Sequence, residues 1–392
     1  MFKKPDQLRS IDRLEARRRV WLKIHLWLGL GVGALLALIG LTGAMLVFWH
    51  EIDGLLNPTL YWHSIPESNV VELSLDEIVA TAERAAPAGW DSVAIDMPRE
   101  ERGNYVFGFY YPNNSPAPES AQSITIGVDP HSAVVTHRRV FYHGINPFEH
   151  SLAGFLFKLH YALLLGASGS IFVGMLAVVF LISALTGLIL WWPLTGRWGR
   201  ALTIKRRASI ERLTYDLHQT AGFYSAGVLV VLLISGMYFN LPDQFRWLVE
   251  CFSPLSAEPI APVGPGQPVT SLDAALQKAR EKYPDGIPHY YVLNNAPSAM
   301  LTACFKDVPE LRRYVLAERC LMIARNRGAL LRVQDAEHGS AGDWFMYWQW
   351  PLHSGQAFGW AGRIAVFLTG LACPVLFISG VVRWRHKRRA KR

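Results

Sequence analysis

The chain has 392 residues, a mass of 44.0 kDa and a net charge of +8, with 51% hydrophobic residues, 18% charged residues and a mean hydropathy of +0.16. That balance excludes a disordered chain, a collagen-like repeat and a disulfide scaffold. The four cysteines (Cys251, Cys304, Cys320, Cys373) form no C-x-x-C or C-x-x-C-H, which argues against covalent c-type haem, a zinc ribbon and a cysteine-ligated iron–sulfur cluster.

Residues 1–20 form a basic segment with seven Lys or Arg. A first apolar stretch follows, Leu26 to Phe48, inside an expected span over 21–50. It is long enough to cross a bilayer, which takes about 20 residues, and too long for a signal-peptide core of about 7–15 residues, so it reads as a retained anchor. Residues 51–150, with 5 basic and 14 acidic residues, read as a soluble module. Ser74-Leu75-Asp76 signals a helix N-cap there, and Tyr105–Tyr111 alternates as a strand. A second span is expected within 151–192, with Ile171 to Trp192 its most apolar part. The weaker stretch Leu152–Gly169 suggests a helix that starts early. Residues 193–213 form a loop with six Lys or Arg.

The third span is expected over 214–241, with its apolar part from Ala221 to Leu241. A second module covers 242–350, with Ser271-Leu272-Asp273 and a strand-like Met300–Phe305. The fourth span is expected over 351–384, most apolar from Ile364 to Val382 and preceded by the weaker Pro351–Gly362; a basic tail, 385–392, closes the chain. The basic segments all fall on one side of a four-span layout. The positive-inside rule then puts both termini in the cytoplasm and both modules on the outer face. The positive charge abuts the spans, so it does not point to nucleic acid. The 14 Trp suit interfacial aromatic belts.

The chain reads as a tandem duplication. His25 is followed by Gly29 and Thr42-Gly43, and His218 by Gly222 and Ser235-Gly236 at the same intervals. His160 is followed by Gly166, Gly169, Thr186-Gly187 and Trp191. His353 is followed by Gly359, Gly362, Ser379-Gly380 and Trp384 at equal offsets. Each second histidine lies 193 residues after its first. An even number of spans per half makes the repeat parallel, so equivalent histidines can face each other across an axis along the membrane normal.

Ionisable groups at spans are costly and usually functional. Axial imidazoles commonly hold haem iron, and b-type haem needs no cysteine. The four histidines therefore supply two candidate bis-His pairs, one near each membrane face. His25, Gly29, Gly33 and Ala37 share one helical stripe, as do His218, Gly222 and Ala226. Ordinary small-xxx-small packing accounts for those glycines but not for the histidines. Arg363 is a candidate partner for a haem propionate, or a snorkelling interfacial residue. Trp344, Phe345, Tyr347, Trp348 and Trp350 crowd the approach to His353, as an aromatic belt or a substrate platform. His50, His63, His143, His150 and His386 compete as ligands but stand outside the repeated pattern; His131, His137 and His143 are a weak candidate for an outer metal site. Gly29-Leu30-Gly31-Val32-Gly33-Ala34 fits G-x-G-x-x-A but lies inside a span after no strand, so it is not a dinucleotide site.

The series His25…Thr42-Gly43, Leu159-His160-Tyr161…Thr186-Gly187, Leu217-His218…Gly222 and Leu352-His353-Ser354-Gly355…Ser379-Gly380 resembles the PepSY-associated transmembrane helix family. The likeness covers about residues 15–385 and includes the FoxB-type di-haem ferric-siderophore reductases. It departs at a long loop, Pro112–Gln122. The resemblance implies a mostly α membrane protein: a four-helix transmembrane bundle with two small α+β PepSY-like periplasmic domains. It also implies two b-type haems on His25, His160, His218 and His353. The expected activity is reduction of a periplasmic ferric siderophore with electrons from a quinol or a cytoplasmic reductase. Two other readings stand beside it: a non-enzymatic membrane protein whose PepSY-like modules bind a protease or sensor, and a siderophore permease. The pairing of Cys304 with Cys320 is left open.

Overall fold

The computed structural model describes residues 5–63, 72–98, 102–111, 121–143, 151–192, 199, 202–205, 209–257, 270–294, 300–306, 319–325, 329–334 and 339–390. Most of the loop Pro112–Gln122 and His150 lie outside them, as does the side chain of His143. The chain divides into a bundle unit (1–47, 156–246, 349–392) and a sheet unit (48–155, 247–348).

Among the described residues, four helices are long and apolar enough to cross a membrane. Helix α1 runs Pro5–Leu46. Short α2 (Trp49–Leu56), α3 (Pro58–Tyr61) and α4 (Leu75–Ala85) follow it. Helix α5 (Leu152–Ala162) leads to the second spanning helix, α6 (Gly166–Trp191). The third is α7 (Ile210–Asn240), capped by Ser209 and followed by α8 (Pro242–Glu250). Helix α9 covers Leu272–Lys282, α10 Ala341–Tyr347 and α11 Gln349–Ser354, and the fourth spanning helix, α12, covers Gly359–Arg389. In the bundle, α1 and α7 each pack against both α6 and α12, so α1 and α7 stand diagonally across the axis. The interior is a plug of Leu176, Phe180, Leu229, Leu233 and Cys373, closed by Val32, Leu36 and Ile39. Helices α1 and α12 touch closely because Gly40 and Gly370 carry no side chain; a Cβ on Gly370 would lie 2.5 Å from the Gly40 carbonyl oxygen.

The second and fourth spans do not begin early, as their apolar lead-ins suggest. Each lead-in is a separate short helix. Leu163, Leu164 and Gly166 take positive φ between α5 and α6, as do Gly355 and Gly359 between α11 and α12. At the second corner a Cβ on Gly355 would sit 2.8 Å from the Arg363 backbone nitrogen, so only glycine fits.

In the sheet unit, the two segments read from the sequence as separate modules form one antiparallel sheet. Its strands are β1 (Ser92–Asp96), β2 (Tyr105–Tyr110), β3 (Ala121–Val128), β4 (Val135–His143), β5 (Ile287–Asn294), β6 (Met300–Lys306), β7 (Arg319–Ala324) and β8 (Ala329–Gln334). Their order is β4-β3-β2-β1-β5-β6-β7-β8, and β1 joins β5 with Ala94 opposite Val292. Ile78, Val79 and Ala82 of α4 and Ala275, Leu276 and Ala279 of α9 share one core with Phe107, Ile126, Leu293, Leu301 and Ile323.

The two Ser-Leu-Asp motifs meet at that seam. Ser74 and Ser271 cap α4 and α9. The Asp76 carboxylate accepts from the amides of Leu272 (2.8 Å) and Asp273 (3.1 Å), and the Asp273 carboxylate accepts from those of Leu75 (3.1 Å) and Asp76 (3.3 Å). Each acid thus caps the other helix and sits at its positive end. Burial raises the Asp76 pKa, but the two donated amides offset this and hold it below the ordinary carboxylate value. Cys304 and Cys320, opposite each other on β6 and β7, are disulfide-bonded.

Candidate functional site

The four histidines of the repeated pattern form two facing pairs inside the bundle unit. The rings of His25 on α1 and His218 on α7 have centroids 6.1 Å apart at an interplanar angle of 79°. His160 on α5 and His353 on α11 are also 6.1 Å apart, at 65°. The two tiers stand at opposite ends of the bundle, because α1 carries His25 itself and contacts His160 near its other end. His25 and Thr42 are 17 residues apart on that helix, about 26 Å along its axis.

Each ring is held the same way. His25 Nδ1 bonds the Ser183 carbonyl (2.9 Å) and Thr186 Oγ1 (3.3 Å). His218 Nδ1 bonds the Leu376 carbonyl (3.0 Å) and Ser379 Oγ (2.9 Å). His160 Nδ1 bonds the Ile39 carbonyl (2.9 Å) and Thr42 Oγ1 (3.3 Å), and Ser235 Oγ lies 2.8 Å from His353 Nδ1. The hydroxyls are buried, at 4% exposure for Thr42, 2% for Thr186, 0% for Ser235 and 3% for Ser379. Each already donates its one proton to a carbonyl of its own helix: Thr42 to Leu38 (2.9 Å), Thr186 to Ser183 (2.8 Å), Ser235 to Val231 (2.8 Å) and Ser379 to Val375 (2.6 Å). A hydroxyl so engaged can only accept from the imidazole. A carbonyl can only accept as well. The proton is therefore on Nδ1 in all four rings, and the Nε2 lone pair is left for a ligand or metal.

The glycine after each threonine makes room for the ring. A Cβ on Gly43 would stand 2.7 Å from His160 Cε1, and one on Gly187 3.0 Å from His25 Cε1. The corresponding distances are 3.5 Å from Gly380 to His218 and 3.9 Å from Gly236 to His353. The Thr-Gly and Ser-Gly pairs, legible in the sequence only as interval marks, are thus histidine cradles. Nothing in the sequence pointed to this, since each cradle lies 118 to 161 residues from its histidine.

A cavity of about 770 Å³ opens between His25 and His218. Its walls are apolar, with Phe180, Trp191, Phe223 and Phe377 among them, and small where Gly29, Gly33 and Gly222 turn inward. Arg383, Lys387 and Arg388 line it too. Arg383 lies 4.6 Å from the Tyr215 ring centre and Arg388 5.0 Å from that of Trp384. These cations counted in the sequence only as orientation signals.

The residues present fit haem. An imidazole nitrogen bonds a first-row metal at about 2.0–2.1 Å, which puts two rings on opposite sides of one metal at a centroid separation of roughly 6 Å. The cavity volume lies within the range of about 300–1,000 Å³ usual for cofactor sites. Its apolar walls and cations match a flat apolar ring bearing carboxylates.

Arg363 donates to the Val47 carbonyl (2.8 Å) and lies 4.8 Å from the Trp360 ring centre. His50 stacks on Trp49, and His137 bonds Thr59 Oγ1 at 3.0 Å. His386 Nδ1 is buried on α12 without a hydrogen bond, and His63 lies beside His131. Among the described residues no group of three His, Cys, Asp or Glu is arranged to hold a metal ion.

The sequence profile of the PepSY-associated TM region matches residues 22–387, a range that includes His25, His160, His218 and His353. The chain belongs to the PepSY-associated transmembrane family. It is a multi-pass membrane protein. No curated protein matches it in sequence.

Proposed function

We propose that this PepSY-associated protein is a b-type di-haem oxidoreductase of the bacterial inner membrane. In this reading it passes electrons from a cytoplasmic reductase or a quinol to a ferric siderophore in the periplasm, reducing Fe(III) to Fe(II). The observation that carries the reading is the pairing of four imidazoles in two tiers, every ring tied down at Nδ1 and free at Nε2.

Haem, when bound, supplies one-electron chemistry. The protein's own residues do the rest. His25 with His218 and His160 with His353 would hold the two haems. The Thr and Ser hydroxyls and the carbonyls fix ring orientation and strengthen the imidazoles as donors. Gly43 and Gly187 admit the rings of His160 and His25. The Leu176–Phe180–Leu229–Leu233 plug keeps water from the space between the tiers. Arg383, Lys387 and Arg388, which line the His25 cavity, would pair with the haem carboxylates there, and Arg363 is the candidate for that task in the other tier. Reduction of the chelate requires no protein acid or base, and hard oxygen donors release iron once it is Fe(II).

The matching geometry of the halves supports a tandem duplication with a parallel repeat, and the basic segments 1–20, 193–213 and 385–392 support cytoplasmic termini with both PepSY-like modules periplasmic. Proteoliposomes loaded with dithionite and given an external ferric hydroxamate test the activity. Fe(II) trapped outside by ferrozine, dependent on the protein and lost in His160→Ala, is the expected result. Uptake of intact chelate without Fe(II) would favour a permease, and the absence of both a partner-binding protein.

A further inference from the structure

We propose that His63 and His131, in the sheet unit, bind a divalent first-row cation such as Zn(II), separately from the bundle histidines. Their ring centroids are 5.4 Å apart at an interplanar angle of 68°. The protonation of His63 is fixed by a buried neighbour. The Asn104 side-chain nitrogen donates to the carbonyls of Thr59 (3.1 Å) and Leu60 (3.2 Å) and to Thr136 Oγ1 (2.8 Å). Its oxygen therefore faces His63 Nδ1, at 3.1 Å, and can only accept. The proton of His63 is on Nδ1, and its Nε2 carries a lone pair. That Nε2 and the Nδ1 of His131 are both buried without a hydrogen-bond partner. Buried imidazole nitrogens left unpaired on two neighbouring rings are costly in a protein and suit a cation that prefers imidazole.

Both rings are presented on fixed backbone. His63 N donates to the Arg102 carbonyl (3.0 Å) and Asn104 N to the Tyr61 carbonyl (2.9 Å), which closes a short antiparallel bridge. His131 sits in the β3–β4 turn, where the Asp129 carboxylate accepts from the amides of His131 (2.8 Å) and Ser132 (3.2 Å). The ring separation also distinguishes this pair from the bundle pairs. Two imidazoles bound about 2.0–2.1 Å from one tetrahedral ion have centres roughly 5 Å apart, against roughly 6 Å for ligands on opposite sides. No group of three His, Cys, Asp or Glu among the described residues is arranged to hold a metal, so the ion's remaining ligands would be water admitted on binding.

The test is a Zn(II) titration of the full-length, chelator-washed protein in detergent against a chromophoric chelator, with wild type, His63→Ala, His131→Gln and His63→Ala/His131→Ala compared. Wild type is expected to bind one Zn(II) more than the double variant, and each single variant to weaken that site at least tenfold. His131→Gln keeps the turn's backbone hydrogen bonds, and an unchanged melting temperature certifies the fold. Equal Zn(II) stoichiometry in wild type and the folded double variant overturns the proposal. The bundle histidines are present in every protein compared, so failure of the haem reading leaves this difference intact.

Discussion

The two halves of the bundle use the same device with different tolerances. In the first half the cradles are Thr42-Gly43 and Thr186-Gly187; in the second they are Ser235-Gly236 and Ser379-Gly380. The threonine oxygens stand 3.3 Å from their imidazoles, whereas the serines stand at 2.8 and 2.9 Å. The glycines show the opposite ranking, with hypothetical Cβ clearances of 2.7 and 3.0 Å in the first half and 3.9 and 3.5 Å in the second. First-half cradles therefore position their histidines mainly by steric fit, and second-half cradles mainly by a short hydrogen bond. Each tier combines one of each kind, because each pair takes one histidine from either half.

Four substitutions test that contrast. The largest effect is expected from Gly43→Ala, which drives a methyl into the His160 ring. Overpacking of this kind costs about 1–3 kcal/mol, so haem affinity at that tier should fall by roughly 5- to 150-fold. Gly236→Ala, which meets its ring at ordinary contact distance, should change affinity less than about twofold; equal losses from the two would end the steric distinction. Next comes Ser235→Ala, for which removal of an outer-shell partner predicts roughly a 10-fold loss of haem affinity. Thr42→Val, losing a longer bond while its carbonyl partner Ile39 remains, should cost less. Equilibrium haem titration of the purified variants measures all four.

Arg383→Gln tests the cavity's cations. It should lower the midpoint potential of the His25 tier's haem and leave the other's unchanged, as redox titration followed by the α-band would read. No change in either potential would remove Arg383 from the site.

The smallest effect concerns the sheet unit and pH. Asp343 closes a capping box on α10 with Ser340 and also accepts from Ser256 N (3.0 Å) and Oγ (2.7 Å). Burial raises its pKa, but these hydrogen bonds outweigh that and bring it down to about 2. A depressed carboxylate stabilises above its unfolded value, about 3.9, and the gain is lost as pH falls through the folded value. The difference in melting temperature between wild type and Asp343→Asn should therefore be constant from pH 7 to 5 and shrink only between about pH 4 and 2. A difference that vanished already at pH 5 would contradict the assignment.

Much of this architecture could be read from the sequence because it is periodic. The spans stand out as long apolar runs, and the histidines repeat at an interval of 193 residues. The strands Tyr105–Tyr110 and Met300–Lys306 alternate visibly. The cradles could not be read, because Thr42 meets His160 across helices and carries no local signal. The break before α6 was hidden for a different reason: Leu163 and Leu164 adopt positive φ although neither is glycine. The single sheet was concealed as well, since pairing of β1 with β5 joins two segments that each look complete.

The most direct test is haem quantitation by pyridine haemochrome on protein from haem-replete cells, with His25→Ala, His218→Ala, His160→Ala and His353→Ala beside wild type. Two b-type haems per chain in wild type and one in each variant is the result expected from two bis-imidazole tiers. A colourless wild-type protein, or four variants that each keep both haems, would contradict the account.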